Sequence, residues 1–203
     1  MKHMPFYSQV VNWDDEDSGF PDLEAARQWE PNCCGIACLR MILSYYHADG
    51  EAGSTSYWAL LQRGLARGAY SERGWIHRGL LEMAGEFGVR GRCHRQADLA
   101  QVVAAIRGGS VCIVSVTRYF LGGQPDADGS PLARGGHLVV AYDTLQDAAG
   151  VSAIICNHPS SGRPWNKAAW PVEVHQWERS MSGNYIEFFP GQGELSSTTL
   201  PSR

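Results

Sequence analysis

The chain has 203 residues, with 17 Lys+Arg against 21 Asp+Glu and a formal net charge of −4. That length suits one domain whose core needs no covalent staples, and 44% hydrophobic with 19% charged residues excludes a disordered chain. A net acidic chain without a Lys/Arg block excludes a nucleic-acid binder or a polybasic anchor. Apolar runs as short as Val111–Val114 and Leu138–Ala141 exclude a helix inserted in a membrane.

In chain order, the first 32 residues read as an irregular arm packed on the domain by Phe6, Tyr7, Trp13 and Trp29, with an acidic run at Asp14–Asp17. Cys34–Tyr46 is helical in pattern and apolar on nearly every side, the mark of a central buried helix. The glycines between Ala48 and Ser54 end it. A second helix is expected from Ser54 or Thr55 to Arg67, and a third from Trp75 to Phe87 with Gly88 as its cap. Val89–His94 reads as a strand, and Leu99–Ile106 as a helix opened by Asp98 and stopped by Gly108-Gly109.

The period then shifts from helical to strand-like. Ser110–Thr117, His137–Thr144, Val151–Cys156 and Tyr185–Phe189 are strand runs, and Asp147–Gly150 predicts a hairpin between the middle two. The 118–136 stretch reads as a long loop, and 193–203 as a frayed tail beyond a domain spanning 33–192. Helices followed by antiparallel strands predict an α+β fold.

Six cysteines stand at 33, 34, 38, 93, 112 and 156. No apolar signal stretch opens the sequence, so a reducing, cytoplasmic setting is expected, with most of the thiols packed as small hydrophobes. There is no Cys-x-x-Cys. His47, His77, His94 and His175 have no ligand spacing, so neither a metal nor a cofactor is expected.

Cys34 differs from the other five. It opens the buried helix, where free backbone N–H groups and the helix dipole favour a thiolate nucleophile. Gly35 behind it leaves room for a substrate carbonyl, and Gln28, six residues before Cys34, offers an amide donor for an oxyanion. Gln9 is the rival glutamine; the six-residue offset favours Gln28. His137, after Gly135-Gly136 at a strand start, is the candidate general base and acid. Asn157, at the end of the next strand, is the candidate to orient it. Trp29 and Gly136 complete the expected substrate-binding set.

The phrases Gln28-x5-Cys34-Gly35-x2-Cys38-Leu39-x-Met41, Gly74–Leu80, Gly135–Asp143 and Asn157–Pro159 resemble the papain superfamily, and within it family 39 of the cysteine peptidases. That family includes bacteriocin-processing peptidases that cut after a double-glycine leader. A weaker likeness extends to Trp177. The resemblance implies a papain-like fold, with a helix carrying Cys34 packed on an antiparallel sheet carrying His137. It implies Cys34 as nucleophile, His137 as base and acid, Gln28 as oxyanion donor, and a peptide or small-protein substrate. One position departs: relatives usually carry an aspartate directly before the proline matching Pro159, and this sequence has His158.

Successive strand residues face opposite sides, so Asn157 and His158 cannot both serve His137 from a regular strand. Asn157 is preferred for its amide oxygen, and His158 is the alternative third member. The leading expectation is a cysteine peptidase, acting on a leader peptide if the likeness extends that far. The alternatives are acyl transfer to an amine from the same thioester, and an inactive peptide-binding relative. Oligomeric state is not legible.

Overall fold

The computed structural model describes residues 3–10, 18–47, 55–117, 120, 136–148 and 150–189. The acidic run at 14–17, nearly all of the 118–136 loop and the expected tail at 193–203 lie outside these.

The arm contains a helix where irregular chain was expected. α1 (Leu23–Trp29) is opened by Asp22, whose carboxylate accepts from Ala25 N at 2.8 Å. With only seven residues it is too short for its periodicity to show in the sequence. A 3-10 turn at Glu30–Asn32, with Pro31 in its first turn, then delivers the chain to α2 (Cys34–Tyr46). Every residue from Gly35 to Ser44 is buried, Arg40 included; its guanidinium lies 4.2 Å from the Tyr7 ring centre. Tyr7 Oη and Ser44 Oγ are 3.0 Å apart, which ties the arm to the same helix.

α3 (Tyr57–Ala66) is capped by Ser56, whose hydroxyl accepts from Ala59 N at 3.2 Å. The next helix starts later than expected. β1 (Tyr70–Ser71) and β2 (Gly74–Trp75) form a small antiparallel hairpin, and α4 (His77–Glu86) follows it. The hairpin needs Gly74 at φ +97°, a region costly for residues with a Cβ. It swings the Trp75 indole back onto α2 and α3. A Cβ on Gly35 would meet Trp75 Cγ at 2.4 Å, and one on Gly64 would meet its Cζ3 at 2.6 Å.

The remaining elements are β3 (Gly91–His94), α5 (Leu99–Arg107), β4 (Val111–Val116), β5 (His137–Asp147), β6 (Gly150–His158), β7 (Lys167–Glu173), α6 (Val174–Ser180) and β8 (Met181–Phe188). α5 carries a full capping box between Asp98 and Gln101, in keeping with Asp98 as its opener. The six long strands form one antiparallel sheet in the order β3-β8-β4-β5-β6-β7. β5 and β6 meet as a hairpin with Asp147 opposite Gly150, as the sequence predicts. β7 and α6 were not foreseen. β7 is an exposed edge strand containing Pro171, and such a strand shows little apolar alternation.

Strand alternation divides the core into two parts. Leu138, Val140 and Tyr142 of β5 pack with α2, α3 and α4 on one face. Val139 and Ala141 pack with Val102 and Ile106 of α5 and with Trp177 of α6 on the other. The architecture is the expected α+β, with helices on both faces of the sheet. No helix among the described residues is long and apolar enough to cross a membrane.

Candidate active site

Cys34 is the first residue of α2 and only half-buried, whereas the neighbouring Cys33 is fully buried. It lines a cleft of about 480 Å³ together with Trp75, His77, Ser115, Gly136, His137 and Leu138. The helix that carries the thiol and the strand that carries the imidazole are joined at one residue. The Leu138 backbone N–H donates to Cys34 Sγ. One helical turn on, Cys38 Sγ donates to the Leu138 carbonyl at 3.4 Å. Spacing of four residues puts both thiols on the same side of α2, so together they clamp β5 at the residue after His137.

The electrostatics of the thiol are balanced between two opposing effects. Burial pushes Cys34 up to about 11, while the N–H groups of Leu138, Gly35 and Cys34 itself pull it back. Cys33, without such donors, is pushed up to about 12 by burial and by the charges of Cys34 and Glu30. The donors at the start of α2 therefore favour thiolate at position 34, but burial still holds the resting group as a thiol near neutral pH.

His137 enters the cleft from the other face of the sheet. Its ring lies 4.6 Å from that of His158, tilted by 45°. Burial, and then the proximity of His158, depress it to about 3, against a hydrogen bond to the Pro159 backbone that acts the other way. Nε2 is buried and has no hydrogen-bond partner, Cys34 Sγ included. The ring is thus a neutral imidazole anchored through Pro159, with the Nε2 lone pair free. His158 is itself depressed to about 4 by burial, and its Nδ1 lies 2.8 Å from the Trp165 carbonyl. That contact assigns the proton to Nδ1 and leaves Nε2 as an unprotonated acceptor.

Asn157, the expected orienting residue, points to the opposite face of β6. Its Nδ2 donates to the Pro5 carbonyl at 2.8 Å, and its Oδ1 accepts from Ala169 N at 2.8 Å. Both ends of the amide are engaged in holding the arm and β7, so the structure sets His158 rather than Asn157 against the His137 ring. The physical reason is the alternation of β6: the registers opposite β5 keep Asn157 on the α2 side, where it also touches Met41. The group that accepts from His137, the Pro159 backbone, is one the sequence reading did not consider. A main-chain acceptor leaves no signature in side-chain patterns.

The other expected site residues separate. Gly136 lines the cleft at φ +128°. Gly35 does not face the cleft; its missing side chain makes room for Trp75. Trp29 packs edge-on to Tyr70, with ring centres 5.4 Å apart, away from the cleft lining. Gln28 is exposed on α1 and does not line the cleft. Gln9, the rival, is buried, and its Nε2 donates to the Glu30 carbonyl at 2.7 Å, in the turn that leads into Cys34. The offset of six misled because α1 and the 3-10 turn consume it, carrying Gln28 to the surface. Among the described residues there is no group of three or more His, Cys, Asp and Glu able to hold a metal ion.

No protein-family model and no curated protein matches the sequence. Solved structures do match. A C39-like peptidase from Bacillus anthracis superposes with a TM-score of 0.57 at 12% identity, over 93% of this chain and 95% of that one. A double-glycine-motif protease from an AMS/PCAT transporter, solved with its leader peptide, gives 0.53 at 16% identity over 93% of each chain. The chain has the C39 peptidase fold. The peptidase domain of Streptococcus ComA, a bi-functional ABC transporter, matches with a TM-score of 0.52 at 17% identity, over 79% of this chain and 93% of that one. The C39 likeness thus covers most of the chain, and the cleft belongs to a papain-like α+β architecture.

Proposed function

We propose that the protein is a cysteine peptidase that cleaves a peptide substrate through an acyl-enzyme on Cys34. The observation that carries this reading is the clamp at Leu138. It holds a half-buried cysteine at a helix start and an imidazole whose Nε2 has no hydrogen-bond partner at a strand start in the walls of one cleft. The shared fold with a double-glycine-motif protease supports a leader-type peptide as the substrate.

In this reaction the unprotonated Nε2 of His137 takes the proton of the Cys34 thiol. The sulfur then attacks the carbonyl, and backbone N–H groups at the start of α2 stabilise the oxyanion. These amides take the role first given to Gln28; Gln9 instead braces the turn that presents them. The imidazolium returns the proton to the leaving amine, and water releases the acyl group.

Because both partners rest neutral, proton transfer and attack occur together, without a stored thiolate–imidazolium pair. The competing reading, a peptide-binding relative without turnover, draws on the same neutral pair and on the histidine at 158. Incubation with peptides containing Gly-Gly, read by mass spectrometry, decides between them. Cleavage by the wild type is expected to fall by at least about 10³-fold in Cys34→Ala, together with loss of alkylation at that position. Retained cleavage in Cys34→Ala overturns the nucleophile. No cleavage by a folded wild type across the peptide set favours the binder.

A further inference from the structure

The cleft wall beyond the reacting groups is cationic. Arg73 from the β1–β2 hairpin, Arg78 from the first turn of α4 and Arg95 just past β3 all line it, and no Asp or Glu among the described residues does. This sits on a chain of net charge −4. Arg78 is paired with Glu82 at 2.8 Å, one turn along its own helix. Arg73 and Arg95 are exposed and have no ion pair among the described residues. Arg95 acts on the cleft interior: after burial, its charge is the second influence holding His77 below the ordinary imidazole value. His77 in turn bonds Ser115 Oγ at 2.9 Å, beside Leu138 in the sheet. Between the arginines, Ile76 is exposed and Trp75 closes the floor, which gives an apolar surface flanked by positive charge.

Three arginines from three separate elements line the cleft that holds Cys34. A neutral peptide has no group that calls for them. Arginine offers carboxylates a forked, two-bond partner, and several cations on one wall focus their field inside a cleft. Building on the peptidase reading, we propose that this cleft selects peptides with acidic residues close to the scissile bond, and that Arg73 and Arg95 are the residues that read them. Arg78, neutralised by Glu82, contributes less.

The test separates binding from cleavage by using the folded Cys34→Ala chain. Its probes are a fluorescein-labelled glutamate-rich peptide with an internal Gly-Gly and the same peptide with glutamine at every glutamate. Fluorescence anisotropy at low salt is expected to show the acidic peptide binding roughly tenfold more tightly, about 1.4 kcal/mol. That advantage is expected to shrink as salt shortens the screening length, and to vanish in Arg73→Gln/Arg95→Gln. Both arginines are exposed and unpaired among the described residues, so the double variant should keep its melting temperature. Equal binding of the two peptides, binding of neither, or a preference that survives the double substitution each overturns the inference. An acid preference that persists while the wild type leaves the acidic peptide uncut supports the inference and counts against the peptidase reading.

Discussion

The two walls of the cleft are prepared to different degrees. On the α2 side, Cys34 has backbone donors from three residues, a helix start and a fixed seat against Leu138. On the β5–β6 side, His137 has a main-chain acceptor at Pro159 and a second imidazole, that of His158, rather than a carboxylate beside it. A carboxylate within about 4–6 Å favours a charged imidazole, whereas a neutral ring in a buried setting disfavours it. Both walls therefore hold neutral groups at rest, but at the thiol three backbone donors partly offset burial, whereas at the imidazole the neighbouring His158 adds to it. A thiolate in this setting would need a cation beside it, and the buried His137 is neutral at neutral pH.

The largest expected effect comes from making the second wall match the first. His158→Asp places a carboxylate against His137 and should lift its pKa by about 1–3 units. In the wild type, alkylation of Cys34 is expected to rise steadily with pH through the neutral range, since its thiol titrates near 11. In His158→Asp, a more basic His137 should take the thiol proton more readily. The rise should move to lower pH and cleavage should increase on the order of 10- to 100-fold. Peptide mapping assigns the alkylation to Cys34 rather than to the exposed Cys93. An unchanged pH profile would show that His158 does not govern the His137 charge.

A smaller effect is expected where the thiol wall meets its packing. Gly35→Ala drives a Cβ to within 2.4 Å of Trp75 Cγ. Relief requires moving an indole whose Nε1 donates to the Asn32 carbonyl at 2.6 Å, in the turn before the nucleophile. Overpacking of this kind costs about 1–3 kcal/mol, and both Tm and cleavage should fall. A Tm equal to wild type would contradict the assignment of Gly35 to packing.

The smallest functional effect belongs to Asn157. Asn157→Ala leaves the Pro5 carbonyl and the Ala169 amide without their partner, at a cost of about 1–3 kcal/mol in thermal unfolding. Because its side chain faces away from His137, the pH profile of Cys34 alkylation should match the wild type. A shifted profile would restore Asn157 to the orienting role.

Much of the fold is legible in the sequence where a single period runs long enough. The apolar stretch at 34–46, the Asp98 cap and the 147–150 hairpin all depend on neighbours a few residues apart, and the structure has them there. α1 is too short to show a period, β7 lies on an exposed edge, and the start of α4 depends on a hairpin that Trp75 closes against α2 and α3. Each was missed because its stabilising contacts are remote in sequence.

The same division holds at the site. Sequence alone determined that Cys34 opens a buried helix and that His137 opens a strand, because capping and alternation are local. Only the tertiary structure decided which glutamine lies beside the nucleophile's turn, which neighbour meets the imidazole, and that three arginines share the cleft. Those outcomes depend on how α1 turns the chain, which face of β6 meets β5, and where three separate elements end in space. No spacing along the chain encodes them, since they follow from packing between segments far apart in sequence.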